Sequence, residues 1–340
     1  LSASGDYVAA LDQVDRALQA QDPPKAGPLF AAGNRYFALL NVAGRLNHRL
    51  GNYDAAIRHY ELVLSSAREI LPRRSLERIV ALMGVSDVLK EVGRYQEAVN
   101  TLVQADQLFQ ERGYDSHRVQ IEMWVVAAGI YHLVGDYAAA QTYYLQAKEA
   151  LEQGGFEGPR LRARVLSGLG ELLGELGDLN AAEEILSEAQ GLQIELLGRR
   201  HPELATTLRR MGNFQLVKAE LDAARESFSQ AHEIQLERLG DGHPELAQTR
   251  VGLARIAQDQ GRYPEAAGMF DQAMVALDGK VEYGSVPYLT SAFFTAVYKA
   301  DVTELHEESR SDIKWIMTTA QELGLGEHPK LVYVNTYYAG

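Results

Sequence analysis

The segment Gly51-Asn52-Tyr53-Asp54-Ala55-Ala56 recurs, with variations, at residues 93–98, 135–140, 177–182 and 261–266. At 219–224 the same slot is held with Ala219 in place of the leading Gly. Successive first residues are 42 apart through five intervals. A unit of that length cannot bury its own apolar face and has to stack on its neighbours, so the repeat decides the architecture before any composition is considered.

The columns around this anchor describe a pair of helices. Seven residues before it stand Gly44, Ser86, Ala128, Gly170, Gly212 and Ala254. Five after it stand Ala56, Ala98, Ala140, Ala182, Ala224 and Ala266, and twelve after it Val63, Ala105, Ala147, Ala189, Ala231 and Ala273. Small residues at fixed places let two helix axes approach closely. Large ones fill the space beside them: Tyr53, Tyr95, Tyr137, Leu179, Leu221 and Tyr263 two after the anchor, and Tyr60, Leu102, Tyr144, Leu186, Phe228 and Phe270 nine after it. The anchor Gly supplies the backbone freedom for the turn between the helices.

This pattern resembles the tetratricopeptide repeat. The linkers Leu197-Gly198-Arg199-Arg200-His201-Pro202-Glu203-Leu204-Ala205 and Leu239-Gly240-Asp241-Gly242-His243-Pro244-Glu245-Leu246-Ala247 narrow the resemblance to the 42-residue kinesin light chain class. It covers about residues 37–278. The resemblance implies an all-α fold, a right-handed superhelical solenoid of antiparallel helix pairs. It further implies that ligands bind the concave surface lined by the first helix of each pair.

The reading divides the chain into four parts. Residues 1–36 hold the second helix of a partial repeat plus a linker, 37–278 six full units, 279–326 a degenerate helical unit, and 327–340 the start of a further helix or a tail. Gly5-Asp6-Tyr7-Val8-Ala9-Ala10 carries the anchor signature without a preceding helix, and Leu325-Gly326-Glu327-His328-Pro329-Lys330-Leu331 echoes the linker. The turn of the degenerate unit falls near Thr303 and Glu304. Both ends lie inside repeats and the chain opens on Leu1, so a piece of a longer protein is expected.

Composition narrows the function classes. There is no Cys, which removes disulfides, thiol nucleophiles and thiolate-bound metals. A net charge of −13 argues against a general binder of phosphate backbones. No apolar run approaches the roughly 18 residues a spanning helix needs, and no signal peptide is visible. The expectation is a cytoplasmic protein that binds neither nucleic acid nor membrane. His306-Glu307-Glu308 lacks the second His of a zinc motif, and the Gly-rich stretch at 154–159 lacks the Lys-Ser/Thr of a phosphate loop. His201, His243 and His328 each precede a Pro in the linker and read as helix-start residues. No enzyme, metal or cofactor is expected.

Function is sought on the first helices. Offsets of thirteen, ten, six and three residues before the anchor fall on one stripe. Arg164, Arg209 and Arg255 lie diagonally across that stripe in three successive repeats, with Arg210 one residue off it. Guanidinium groups suit the capture of carboxylate or phosphate. The other reading pairs these arginines with Glu171, Glu175 and Asp259 as ordinary ion pairs. Gly129, Gly168, Gly174 and Gly252 are read as leaving the wall low enough to admit a ligand. Asn41 and Asn213 suit a peptide backbone, because an amide donates and accepts together, and Arg45 shares their stripe. The kinesin light chain class commonly carries paired Asn residues ten and nine before the turn. Those slots here hold Asn41-Val42, Met83-Gly84, Val125-Val126, Ser167-Gly168, Arg209-Arg210 and Val251-Gly252.

The function expected is a non-enzymatic scaffold that binds an acidic or carboxylate-bearing protein or peptide. The alternative is a ligand-sensing regulatory module of a larger signalling protein, such as a signal-transduction ATPase or a transcriptional regulator. Self-association through the terminal half-repeats, with the tail at 332–338, is a third reading.

Overall fold

The computed structural model describes residues 5–21, 30–70, 75–112, 117–153, 158–302, 306–325, 328 and 331. Fifteen α-helices run through them. They are α1 (Tyr7–Gln19), α2 (Phe30–Arg49), α3 (Tyr53–Ile70), α4 (Leu76–Val92), α5 (Tyr95–Arg112), α6 (His117–Leu133), α7 (Tyr137–Glu152) and α8 (Pro159–Glu175). The series continues as α9 (Leu179–Leu197), α10 (Pro202–Val217), α11 (Leu221–Leu239), α12 (Glu245–Asp259), α13 (Tyr263–Leu277), α14 (Val286–Val302) and α15 (His306–Glu322). No strand occurs among the described residues.

Every anchor falls at the turn between a first and a second helix. Gly51, Gly93, Gly135, Gly177 and Gly261 all have positive φ, as does Gly5 before α1. At the sixth turn Ala219 takes φ 58°, the one non-glycine residue in that region among the described residues. The left-handed conformation closes the first helix and turns the chain into the second. At Gly93 the cap N–H reaches back to the carbonyls of Leu89 and Lys90.

The chain divides into two compact units, residues 1–130 with 146–158, and residues 131–145 with 159–340. In the first, α2 packs on α3 and α4, and α4 on α5. In the second, α8 packs on α9 and α10, α10 on α11 and α12, and α12 on α13 and α14. In these stretches a first helix thus touches its partner and the first helix of the next pair.

The large and small columns interlock in three dimensions. In the first unit the Tyr60 ring lies between the backbones of Gly44 on α2 and Gly84 on α4. In the second, Phe228 is held the same way between Gly212 on α10 and Gly252 on α12, and Tyr144 lies against Gly168 on α8. Tyr60, Tyr144 and Phe228 are all buried. Each contributes about 1.5–3 kcal/mol relative to exposure.

Two of the three linker histidines have the helix-start role. His201 Nδ1 accepts the N–H of Glu203 at 3.1 Å, and His243 Nδ1 accepts that of Glu245 at 3.2 Å. Both rings are buried. An acceptor at Nδ1 fixes the neutral tautomer with its proton on Nε2. Residues 303–304, proposed as the last turn, the stretch at 154–157 and the tail at 332–338 lie outside the described residues.

Candidate functional site

The stripe drawn from the sequence is narrower in the structure. In the first unit Ala38 and Arg45 are exposed on α2, His48 is half-buried and Asn41 is buried. On α4 Val80, Asp87 and Lys90 are half-buried and Met83 is buried. In the second unit Arg164 of α8, Thr206, Arg209 and Asn213 of α10, and Gln248, Arg255 and Gln258 of α12 are half-buried, while Ser167 and Val251 are buried. The tenth residue before the anchor therefore goes under the surface in four of these helices.

Asn41 shows why. Its Nδ2 donates to the carbonyl of Glu77 at 3.0 Å, so the side chain ties α2 to the first turn of α4. Its Oδ1 is buried and accepts no hydrogen bond. An acceptor left in that state costs free energy.

A separate charged cluster of the first unit joins α2 to α4. Lys90 Nζ lies 2.6 Å from Asp87 and 3.0 Å from Glu91, and His48 Nδ1 lies 3.6 Å from Asp87. Burial opposes the charge on Lys90, but the two carboxylates outweigh it and its pKa is raised. For His48 burial prevails and the pKa is lowered.

In the second unit Arg209 and Arg210 converge on one carboxylate. Arg210 Nε lies 2.7 Å from Glu171 Oε2 and Arg209 Nη1 3.6 Å from Glu171 Oε1. Glu171 is only 8% exposed. Arg210 Nη1 also donates to Ser167 Oγ at 2.8 Å, and Ser167 Oγ lies 2.8 Å from Thr207 Oγ1. Burial works against the Arg210 charge, yet Glu171, with Tyr144 and Glu245 adding to it, raises its pKa. Arg210 occupies the slot nine before the anchor, where Gly84, Gly168 and Gly252 stand in other repeats. That slot faces the preceding pair, so Arg210 crosses the seam to α8 and does not extend the open stripe.

Arg255 stacks its guanidinium 4.2 Å from the centre of the Phe294 ring on α14. The ion-pair reading holds for Arg209 on Glu171. At Glu175, His132 Nε2 lies 2.9 Å from Oε2, and the Tyr137 hydroxyl donates to the same oxygen at 2.6 Å. Burial, with Glu175 next, raises the Tyr137 pKa. Its members occupy repeat columns three residues before the anchor, two after it and two before the next anchor, as His48, Tyr53 and Glu91 do two repeats earlier, but only the packing shows that they meet.

Two of the four glycines do not leave the wall low. A Cβ on Gly168 would lie 2.5 Å from Tyr144 Cζ, and one on Gly252 2.5 Å from Phe228 Cζ. Gly174 is met by Phe214 at 3.5 Å, and Gly129 is covered by the Lys90 side chain. The space that Gly168 and Gly252 vacate is filled by Tyr144 and Phe228, whereas Gly129 and Gly174 have neighbours only at ordinary contact distance.

Models of the tetratricopeptide repeat match residues 35–111, 121–150, 162–203 and 203–276. The chain belongs to the tetratricopeptide repeat family. No curated protein matches its sequence. Among solved structures, these tetratricopeptide repeats are similar to a Rap protein complexed with Competence and Sporulation Factor: TM-score 0.67, 17% identity, 94% of this chain and 81% of that chain. They are also similar to NprR in complex with its cognate peptide NprX: TM-score 0.60, 14% identity, 83% of this chain and 78% of that one. A putative kinesin light chain of Podosopora anserina matches 62% of this chain and 99% of its own length at 18% identity, with a TM-score of 0.42. At these identities the likeness is one of fold. Among the described residues no helix is long and apolar enough to cross a membrane.

Proposed function

We propose that this tetratricopeptide-repeat protein is a non-enzymatic scaffold that takes an acidic or carboxylate-bearing peptide on its first-helix faces. The observation that carries the reading is the pair Arg209 and Arg210 gathered on Glu171 in the second unit, with Arg164, Asn213 and Arg255 half-buried on α8, α10 and α12. Arg210 is fixed by Ser167, and Arg209 sits half-buried above it at the surface. Preordered guanidinium groups lose little entropy when a carboxylate arrives. In the first unit Arg45 is exposed on α2, while Asn41 is committed to the carbonyl of Glu77. The peptide bound to the similar NprR fold supports the choice of a peptide over other ligands.

Selection of a random peptide library on the full chain tests this directly. Enriched peptides should carry Asp, Glu or a free C-terminal carboxylate and should be lost on an Arg209→Gln chain. Enrichment of uncharged peptides that bind both chains equally would refute the reading.

A further inference from the structure

The carboxylate of Glu171 stands where a ligand carboxylate would. It comes from α8, is nearly buried, and is addressed by guanidinium groups of two consecutive α10 residues. The two contacts are unequal. Arg210 meets Glu171 at 2.7 Å and holds Ser167 as well, so it is committed to the seam between α8 and α10. Arg209 approaches Glu171 only to 3.6 Å, beyond ordinary hydrogen-bond length, and its side chain keeps 12% exposure. A pair that makes no hydrogen bond at this distance can be exchanged for another carboxylate that does.

We propose that Glu171 is an internal competitor for the peptide site. It occupies Arg209 in the free protein and yields that group when an acidic ligand binds, which sets how acidic a ligand must be. Weakly acidic peptides fail to displace Glu171, whereas peptides with several carboxylates engage Arg209 from the open side while Glu171 remains on Arg210. Arg210 thereby keeps the buried carboxylate neutralised in both states, so the exchange never strands an unpaired buried charge. Glu171 is thus a specificity-determining residue, and this inference rests on the reading of Arg209 as a ligand contact.

The test uses a fluorescein-labelled, N-acetylated hexaglutamate peptide and anisotropy on the full chain, with circular dichroism to confirm each fold. Glu171→Gln should bind about fivefold more tightly than the parent, the gain expected from releasing one loose ion pair at Arg209. Glu171→Gln combined with Arg209→Gln should lose that gain. Glu184→Gln, the same charge change on the exposed face of α9, should show no gain, which separates competition from a shift in net charge. Should Glu171→Gln fail to fold, Glu171→Asp, whose shorter side chain draws back from Arg209, should still tighten binding. Unchanged or weaker binding by the folded Glu171 variant, or an equal gain from Glu184→Gln, overturns the inference. Arg209→Gln alone reports on the underlying reading: if it binds the probe as the parent does, Arg209 is not a ligand contact. If it weakens binding while Glu171→Gln gives no gain, only the competitor role falls.

Discussion

The ring of Phe228 lies so close to the backbone of Gly252 that a Cβ there would sit 2.5 Å from Cζ. The same interlock joins Tyr60 to Gly84 and Tyr144 to Gly168, at every second repeat. Gly252→Ala should therefore destabilise the second unit by about 1–3 kcal/mol through overpacking, despite the better helix propensity of Ala. Phe228→Leu in the same chain should recover much of that loss. Denaturant unfolding of the two single variants and the double variant gives the coupling. A strictly additive result would show that ring and glycine do not meet.

Ala219 bears the opposite mismatch. It holds φ 58° at a turn where five other repeats place Gly. The Cβ crowds the following carbonyl in this region, and Gly removes the clash at some cost in unfolded-state entropy. Ala219→Gly should gain up to about 1 kcal/mol, read as a higher Tm. A lower Tm would place the turn elsewhere.

Much of the architecture was legible because the repeat demanded particular shapes at particular places. Anchor glycines, small columns and the linker His-Pro each have one physical use, and the turns at Gly51 to Gly261 and the caps at His201 and His243 fall where those uses require. The site was less legible for an equally physical reason. A sequence shows that Gly168 and Gly252 lack side chains, but not that Tyr144 and Phe228 from preceding helices enter the space. Likewise Asn41 and Arg210 lie on the same helices as the open stripe, and only the packing reveals that both reach sideways into a neighbouring helix.

Acid should weaken the first unit through His48. Burial lowers its pKa from about 6.5, against the attraction of Asp87 and Glu91 and with Arg49 and Lys90 adding to the shift. Between the folded pKa and 6.5 the unfolded chain binds the proton and the folded chain does not. Stability is therefore complete above pH 6.5 and falls as pH drops below it, by at most about 1.4 kcal/mol per pH unit. His48→Gln should flatten part of this slope between pH 7.5 and 5.5 in thermal unfolding. An identical slope in both chains would contradict the assignment.

Arg250 is a structural arginine and should behave as one. It is buried, pairs with the Asp241 carboxylate, and donates Nη1 to the carbonyls of Asp241 at 3.0 Å and Gln272 at 3.3 Å. Arg250→Met leaves those acceptors unpaired and should cost about 3 kcal/mol. Peptide affinity of the folded fraction should be unchanged, in contrast to Arg209→Gln, and a chain of parental stability would be the contrary outcome.

The central claim is that the arginines of the second unit read negative charge on a peptide. Isothermal titration of an enriched acidic peptide into the parent chain and into the combined Arg164→Gln, Arg209→Gln and Arg255→Gln variant measures it most directly, with Tm recorded for both. The account predicts at least a tenfold loss of affinity, a shift of about 1.4 kcal/mol, and a shallower salt dependence in a variant that remains folded. Equal affinity and equal salt dependence in the two chains would contradict it.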